Sequence, residues 1–118
     1  MSLIHLGDLT INKNLSTVYI EETEVTLEPR LMDLLLLFCK QQEKITSRQD
    51  ILDAIWPNSV VTDNAVNKLV AGLRKALRDD PKNPKYIQTI PKRGYRLLCT
   101  AVETDNLQNQ SKLLLRPL

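Results

Sequence analysis

Residues 62–78, TDNAVNKLVAGLRKALR, decide how this chain is to be read. Wound at about 100° per residue, the pitch of an α-helix, Val66, Leu69, Val70, Leu73, Ala76 and Leu77 fall on one stripe. Asn64, Asn67, Lys68, Ala71, Lys75 and Arg78 fall on the opposite side. The first set needs a core to pack against. The second carries amides, ammonium groups and one guanidinium, with Asp63 and Asp79 only at its edges. A typical solvated helix face mixes signs and pairs Glu with Lys four residues apart. Asn can meet adenine edges, and Lys and Arg can meet phosphates or guanine. The face therefore suits nucleic acid, with a plain solvated surface as the alternative.

Charge is distributed to match. Residues 1–60 hold 5 basic and 9 acidic side chains, whereas residues 61–118 hold 11 and 5. The segment 62–96 alone has 9 basic and 3 acidic residues, so it carries the whole positive excess of the second half. A basic half on an otherwise acidic domain is the footprint of a nucleic-acid binder, though it would also suit an acidic protein partner. At 118 residues the chain is one domain with room for a core. Cys39 and Cys99 lack C-x-x-C spacing and lie in apolar runs, as free thiols of a reducing compartment do. No signal peptide is visible, and no apolar run approaches the roughly 20 residues of a membrane span, so no membrane contact by these residues is expected.

Catalytic readings find little material. There is no Gly-rich phosphate loop, no metal-spaced His/Cys set and no Ser/His/Asp combination. His5, the one histidine, has no partner constellation around it and reads as structural or exposed. No enzyme, metal site or cofactor is expected.

Working outward from residues 62–78, Ser47 is a good N-cap with Asp50 three residues on, a variant of the capping box. Ile51, Leu52, Ile55 and Trp56 form the stripe of a helix of roughly ten residues that Pro57 closes. After the loop 57–61, Thr62 caps the basic helix; two helices so joined are the ingredients of a helix-turn-helix. Further upstream, Pro29 opens a helix at its first position behind Glu28, which suits the cap and the helix dipole. Leu31, Leu34, Leu35 and Phe38 follow helical spacing, with Met32, Leu36 and Leu37 widening the stripe. Ile45 sits in a short extended link. Residues 1–27 read as four short strands broken at 7–8, 12–14 and 21–22, hence an antiparallel sheet.

Downstream, 79–84 is a loop. Residues 86–90 and 95–99 are strands around a 91–94 turn bearing Lys92 and Arg93. The total is seven strands and three helices, with Leu34, Leu35, Phe38, Ile51, Ile55, Trp56, Leu69 and Leu73 buried. The domain is placed at 1–102, and 103–118 is read as a linker or tail outside the core.

TLEPRLMDLL, SRQDILDAIWP, the D-x-A-V-N-K-L-V-x-x-L-R-K-A-L helix and YIQTIPKRGYRL, in that order, resemble the OmpR/PhoB-type winged-helix DNA-binding domain. The LEPR opening and the PKRGY turn are most similar to the CadC/ToxR branch of one-component, membrane-anchored transcription regulators. The resemblance covers residues 3 to about 101. It implies an α+β fold: a four-stranded N-terminal sheet, three helices and a C-terminal hairpin forming the wing. Many relatives have Thr or Ser where this chain has Glu28, a departure that touches capping. With strands starting at residue 3, no receiver domain fits before them. The resemblance therefore places any sensor C-terminal, across a membrane, with these residues as a cytoplasmic domain.

The resemblance also implies sequence-specific binding of double-stranded DNA, with a winged-helix protein-interaction module as the alternative. The helix from Thr62 would enter the major groove, presenting Asn64, Asn67, Lys68 and Ala71, with Lys75 and Arg78 toward the backbone. Arg74 lies near the core border, suited to a phosphate or to an internal ion pair. Arg48 is a candidate phosphate contact. Lys92 and Arg93 would meet the minor groove, where a narrow A·T-rich groove attracts guanidinium. Loop 57–61 corresponds to the one that meets RNA polymerase in the family, and relatives bind direct repeats in tandem with weak or no dimerisation off DNA.

Overall fold

A computed structural model describes residues 2–105. The N-terminal sheet is built from β1 (Ser2–Leu6), β2 (Leu9–Asn12), β3 (Thr17–Ile20) and β4 (Thr23–Thr26), all antiparallel neighbours. The β3–β4 turn places Glu21 at φ 47° and Glu22 at φ 66°. Positive φ at both central residues matches the right-handed twist of the flanking strands, so the acidic pair makes a tight hairpin.

α1 (Pro29–Lys40) has Pro at its start as expected, and Met32, Leu34, Leu35, Phe38 and Cys39 buried. Glu28 occupies the N-cap position but its side chain makes no capping bond. α2 (Arg48–Ile55) carries a complete capping box: Ser47 Oγ accepts from the Asp50 amide at 3.0 Å, and Asp50 Oδ2 accepts from the Ser47 amide at 3.0 Å. α3 (Asp63–Leu77) follows the loop, with Thr62 at its N-cap again making no side-chain capping bond. The hydroxyl of Thr62 is thus not committed to the helix.

Among the described residues there are eight strands, not seven. β5 (Ile45–Thr46) is the link around Ile45; it pairs with β7 (Gly94–Leu97), which pairs with β6 (Ile87–Ile90). β8 (Ala101–Asp105) pairs with β1 along its length and makes the N-terminal sheet five-stranded, in the order β4-β3-β2-β1-β8. The sheet therefore runs past residue 102, where the domain was expected to end. Gln42 explains the docking: its Oε1 accepts from the Ala101 amide at 2.6 Å and its Nε2 donates to the Ala101 carbonyl at 3.3 Å. Lys13 and Glu103 add an exposed ion pair at 2.9 Å. The apolar tail 113–115 lies outside the described residues.

Between the sheets, the core gathers Leu6, Leu9, Ile11 and Val18 from β1–β3, Leu34, Leu35 and Phe38 from α1, Ile51 from α2, and Val66, Val70, Leu73 and Leu77 from α3. Leu34, Leu35, Phe38, Ile51 and Leu73 are buried as expected, while Ile55, Trp56 and Leu69 are only partly covered. α2 is two turns long and ends before Trp56, so its last apolar residues lie at the rim.

Candidate nucleic-acid interface

The exposed arc of α3 is the one its periodicity marks. Asn64, Asn67, Lys68, Ala71 and Lys75 are all exposed. Among the described residues no carboxylate pairs with Lys68, Lys75, Lys92 or Arg93. The cations of helix and hairpin are thus left for an external anion.

One edge of the arc is fastened by Tyr95 from β7, which the sequence pattern marks only as part of a strand. Tyr95 is 3% exposed. Its hydroxyl donates to Asn67 Oδ1 at 3.0 Å, and Arg48 Nε reaches the same oxygen at 3.4 Å. The guanidinium carbons of Arg48 and Arg74 lie 5.7 and 5.9 Å from the Tyr95 ring centroid. Phe38 of α1 meets the ring edge-on at 6.3 Å. All three helices and the hairpin therefore meet at one phenol. Strand alternation was the available signal, since it turns Tyr95 and Leu97 inward and Arg96 outward. Arg48 so placed is half-buried beside the exposed arc.

Two of the expected contact residues have partners within the domain. Arg74 is buried. Its Nη2 donates to the Ile87 carbonyl at 2.9 Å and to Thr89 Oγ1 at 2.7 Å, while its Nε finds no partner. In place of the internal ion pair, the buried side chain bridges α3 to β6, with the ring of Tyr95 alongside. Arg78 ends the helix in the left-handed region at φ 58°, and its Nη1 pairs with Glu21 Oε2 at 3.1 Å. The left-handed cap turns the chain away, and this exposed guanidinium pairs with the acidic β3–β4 turn.

The hairpin is held in place by two devices. Asp79, just past α3, is buried, and its carboxylate accepts from the amides of Lys85 (2.6 Å) and Ile87 (3.0 Å), with Tyr86 more distant. The start of β6 is thereby fixed to the end of the helix. At the tip, Pro91 precedes Lys92 at φ 65°, and the Arg93 amide donates to the Ile90 carbonyl at 3.0 Å, the signature of a type II turn. Lys92 and Arg93 are both exposed there. Gly94, at φ 140°, lies so close to β5 that a Cβ would meet the Thr46 carbonyl oxygen and come within 2.8 Å of Ser47 Cα.

At the other edge of the arc, Arg30 lies over Trp56 at 5.5 Å, beside a groove that Lys68 and Leu69 help to line. Burial pushes the Cys39 thiol up to about 11. The Cys99 thiol is raised by burial first and then by Asp8 and Asp79. Among the described residues no group of His, Cys, Asp and Glu could hold a metal ion, and no helix is long and apolar enough to cross a membrane.

Comparison with known proteins places this geometry. Residues 22–97 match the family described as "Transcriptional regulatory protein, C terminal". The chain is similar to the transcriptional activator CadC of Escherichia coli, 32% identical over 116 residues, covering 98% of this chain and 23% of that protein. It is also 37% identical over 73 residues to the cholera toxin transcriptional activator of Vibrio cholerae, covering 60% and 24%. The chain thus spans about a quarter of the length of these relatives. Among solved structures, the DNA-binding domain of E. coli CadC superposes with a TM-score of 0.77 at 33% identity, covering 86% of this chain and 96% of that one. The Klebsiella pneumoniae RstA DNA-binding domain, solved in complex with its RstA box, gives 0.72 at 26% identity, covering 80% and 95%. A hairpin braced against a helix-turn-helix, on an N-terminal antiparallel sheet, is the arrangement these domains share, and the chain belongs to the OmpR/PhoB-type winged-helix family of transcriptional regulatory domains, on its CadC/ToxR-like side.

Proposed function

We propose that this domain binds double-stranded DNA sequence-specifically on behalf of a transcriptional regulator, with α3 in the major groove and the β6–β7 tip at the minor groove. The observation that carries this reading is the carboxylate-free exposed arc of α3, joined through Tyr95 to a hairpin whose tip holds two cations that no carboxylate pairs among the described residues. Asn64, Asn67, Lys68 and Ala71 face base edges, Lys75 and Thr62 face phosphates, and Arg48 orients Asn67. Lys92 and Arg93 sense groove width. Selection of bound duplexes from random DNA tests this, together with salt titration: each neutralised phosphate contributes about −0.9 to the log–log slope. Salt-independent binding with no enriched sequence would favour a protein-interaction module instead.

Three finer points belong to the same reading. Val60, wholly exposed in loop 57–61, supports that loop as a contact for RNA polymerase. Tyr19 and Val102, each about half exposed, lie on one cross-strand row of the outer face of the five-stranded sheet. With Thr10 and His5 between them, they make a mixed row on which a weak, DNA-dependent tandem contact could form. The domain would work in the cytoplasm, where the DNA is, as the reading head of a longer membrane-anchored chain.

A further inference from the structure

We infer that Tyr95 is a positioning residue that turns Asn67 into a donor-only reader of the base edge it meets. The inference rests on the proposed docking of α3 in the major groove and adds to it which edge chemistry is favoured. A side-chain amide carries one carbonyl oxygen with two lone pairs and one NH2 group with two donors. Facing adenine, an unconstrained Asn uses both ends, accepting from N6–H2 while donating to N7. Here the accepting end is already occupied. The Tyr95 hydroxyl donates to Asn67 Oδ1 at 3.0 Å and Arg48 Nε approaches it at 3.4 Å, which accounts for both lone pairs.

The anchor is rigid where it matters. Tyr95 is 3% exposed, with the guanidinium groups of Arg48 and Arg74 close to its ring and Phe38 edge-on against it. Its ring cannot follow Asn67 outward. Asn67 itself remains exposed, and with Oδ1 engaged its NH2 is left for whatever lies against α3. Two consequences follow for the base met there. Guanine, with N7 and O6 both accepting, matches a pure donor. Adenine offers N7 beside an amino group whose hydrogens oppose those of Asn67, and the usual two-point pairing is lost. The same phenol sits on β7, the wing strand, so a shift of the wing is transmitted to the Asn67 oxygen.

The test uses the whole chain and its selected duplex. The base pair read by Asn67 is found as the position where discrimination vanishes in Asn67→Ala. Affinities are then measured with guanine, with adenine and with purine lacking the 6-amino group at that position, for wild type and Tyr95→Phe. We expect wild type to favour guanine over adenine by about fivefold or more, within the range of a good base contact. Removing the 6-amino group from adenine should leave wild-type binding equal or tighter. In Tyr95→Phe, which keeps the ring, the freed lone pair should let adenine gain on guanine and make loss of the 6-amino group costly, with affinity for random DNA unchanged. An unchanged guanine-to-adenine ratio in Tyr95→Phe overturns the inference, as does weaker wild-type binding when the 6-amino group is removed. Should Tyr95→Phe fail to fold by circular dichroism, the wild-type series decides alone. Wild type that enriches no duplex at all defeats the DNA-binding reading itself, a result distinct from binding with the wrong base preference.

Discussion

Arg74 donates from Nη2 to the main-chain carbonyl of Ile87 at 2.9 Å, so the second half of α3 is tied directly to the first strand of the wing. Neither partner is water-exposed, and the helix cannot tilt without breaking a charge-assisted bond. The orientation of the arc relative to the hairpin tip is therefore a property of the packed domain, present before any ligand arrives.

Arg74 and Lys75, adjacent in sequence, should consequently behave in opposite ways. Arg74→Ala leaves the Ile87 carbonyl and the Thr89 hydroxyl short of a donor and should cost about 1–3 kcal/mol of stability. It should leave the salt slope of DNA binding unchanged. Lys75→Ala should leave stability within about 0.5 kcal/mol and reduce the slope by about one unit. Urea unfolding and salt-titrated binding of both variants check the pair; a slope change in Arg74→Ala with no loss of stability would reverse their roles.

Asp79 holds the first amides of the hairpin, and its loss should be felt at the wing. Asp79→Ala uncovers buried N–H groups of Tyr86 and Ile87, at about 1–3 kcal/mol for each left unsatisfied. Hydrogen exchange should quicken first at Ile87 and along β6, ahead of α1. Uniform acceleration across the domain would show that Asp79 acts on global stability instead.

Gly94 allows β7 to pass against β5. Gly94→Ala introduces a Cβ into the Thr46–Ser47 backbone at a φ that L-residues rarely adopt. The backbone strain alone costs about 1–3 kcal/mol, so thermal unfolding should fall markedly. Because β5 precedes the capping box of α2, Arg48 should lose its place as well. A stability within error of wild type would mean the β5–β7 contact can open without penalty.

The cysteines should separate by reactivity and by pH. Cys39 is buried and its thiol pushed up to about 11, so at pH 8 it should resist iodoacetamide until the domain unfolds. Cys99, partly exposed, should be alkylated first. The folded state holds the Cys39 proton more tightly than the unfolded chain, whose thiol titrates near 9.0. Below that pH this group contributes no pH dependence; between 9.0 and about 11 the unfolded chain ionises first and stability declines. Cys99 and Tyr86 are raised in the same direction and add to the decline. Urea titrations across that range should show a shallower fall for Cys39→Ala, and mass spectrometry locates the alkylated site.

On the proposed docking, Arg93 and Asn67 divide the work of reading. Arg93→Ala should weaken binding to many sequences and relax any preference for flanking A·T pairs, because a cation in a narrow groove senses its width. Asn67→Ala should cost about 1–3 kcal/mol on the preferred site and little on random DNA, which is held by phosphates. Binding to the site, a scrambled site and a site with G·C flanks distinguishes them. Equal losses on all three DNAs for Asn67→Ala would reduce Asn67 to a surface polar residue.

The sequence by itself determined the helices, the order of the elements and the arc of α3. Each rests on local physics: a 3.6-residue period from Val66 to Leu77, Ser47 with Asp50 as a capping box, Pro29 where its missing N–H costs nothing, and a basic arc without acids. Only the tertiary structure decided what lies many positions apart. β5 is two residues long and β8 has Gln42 and β1 as partners, so neither announces itself by periodicity. Along the helix, Arg78 looks like an external cation and Arg74 like one at the core border. Which groups hold a guanidinium depends on where Ile87, Thr89 and Glu21 happen to arrive in space, burying Arg74 and leaving Arg78 in an exposed pair, and no spacing within the helix carries that information. The same holds for Tyr95 beneath Asn67: an amide's donors and acceptors are read from its residue type, but which of them remain free is settled by a strand 28 positions away.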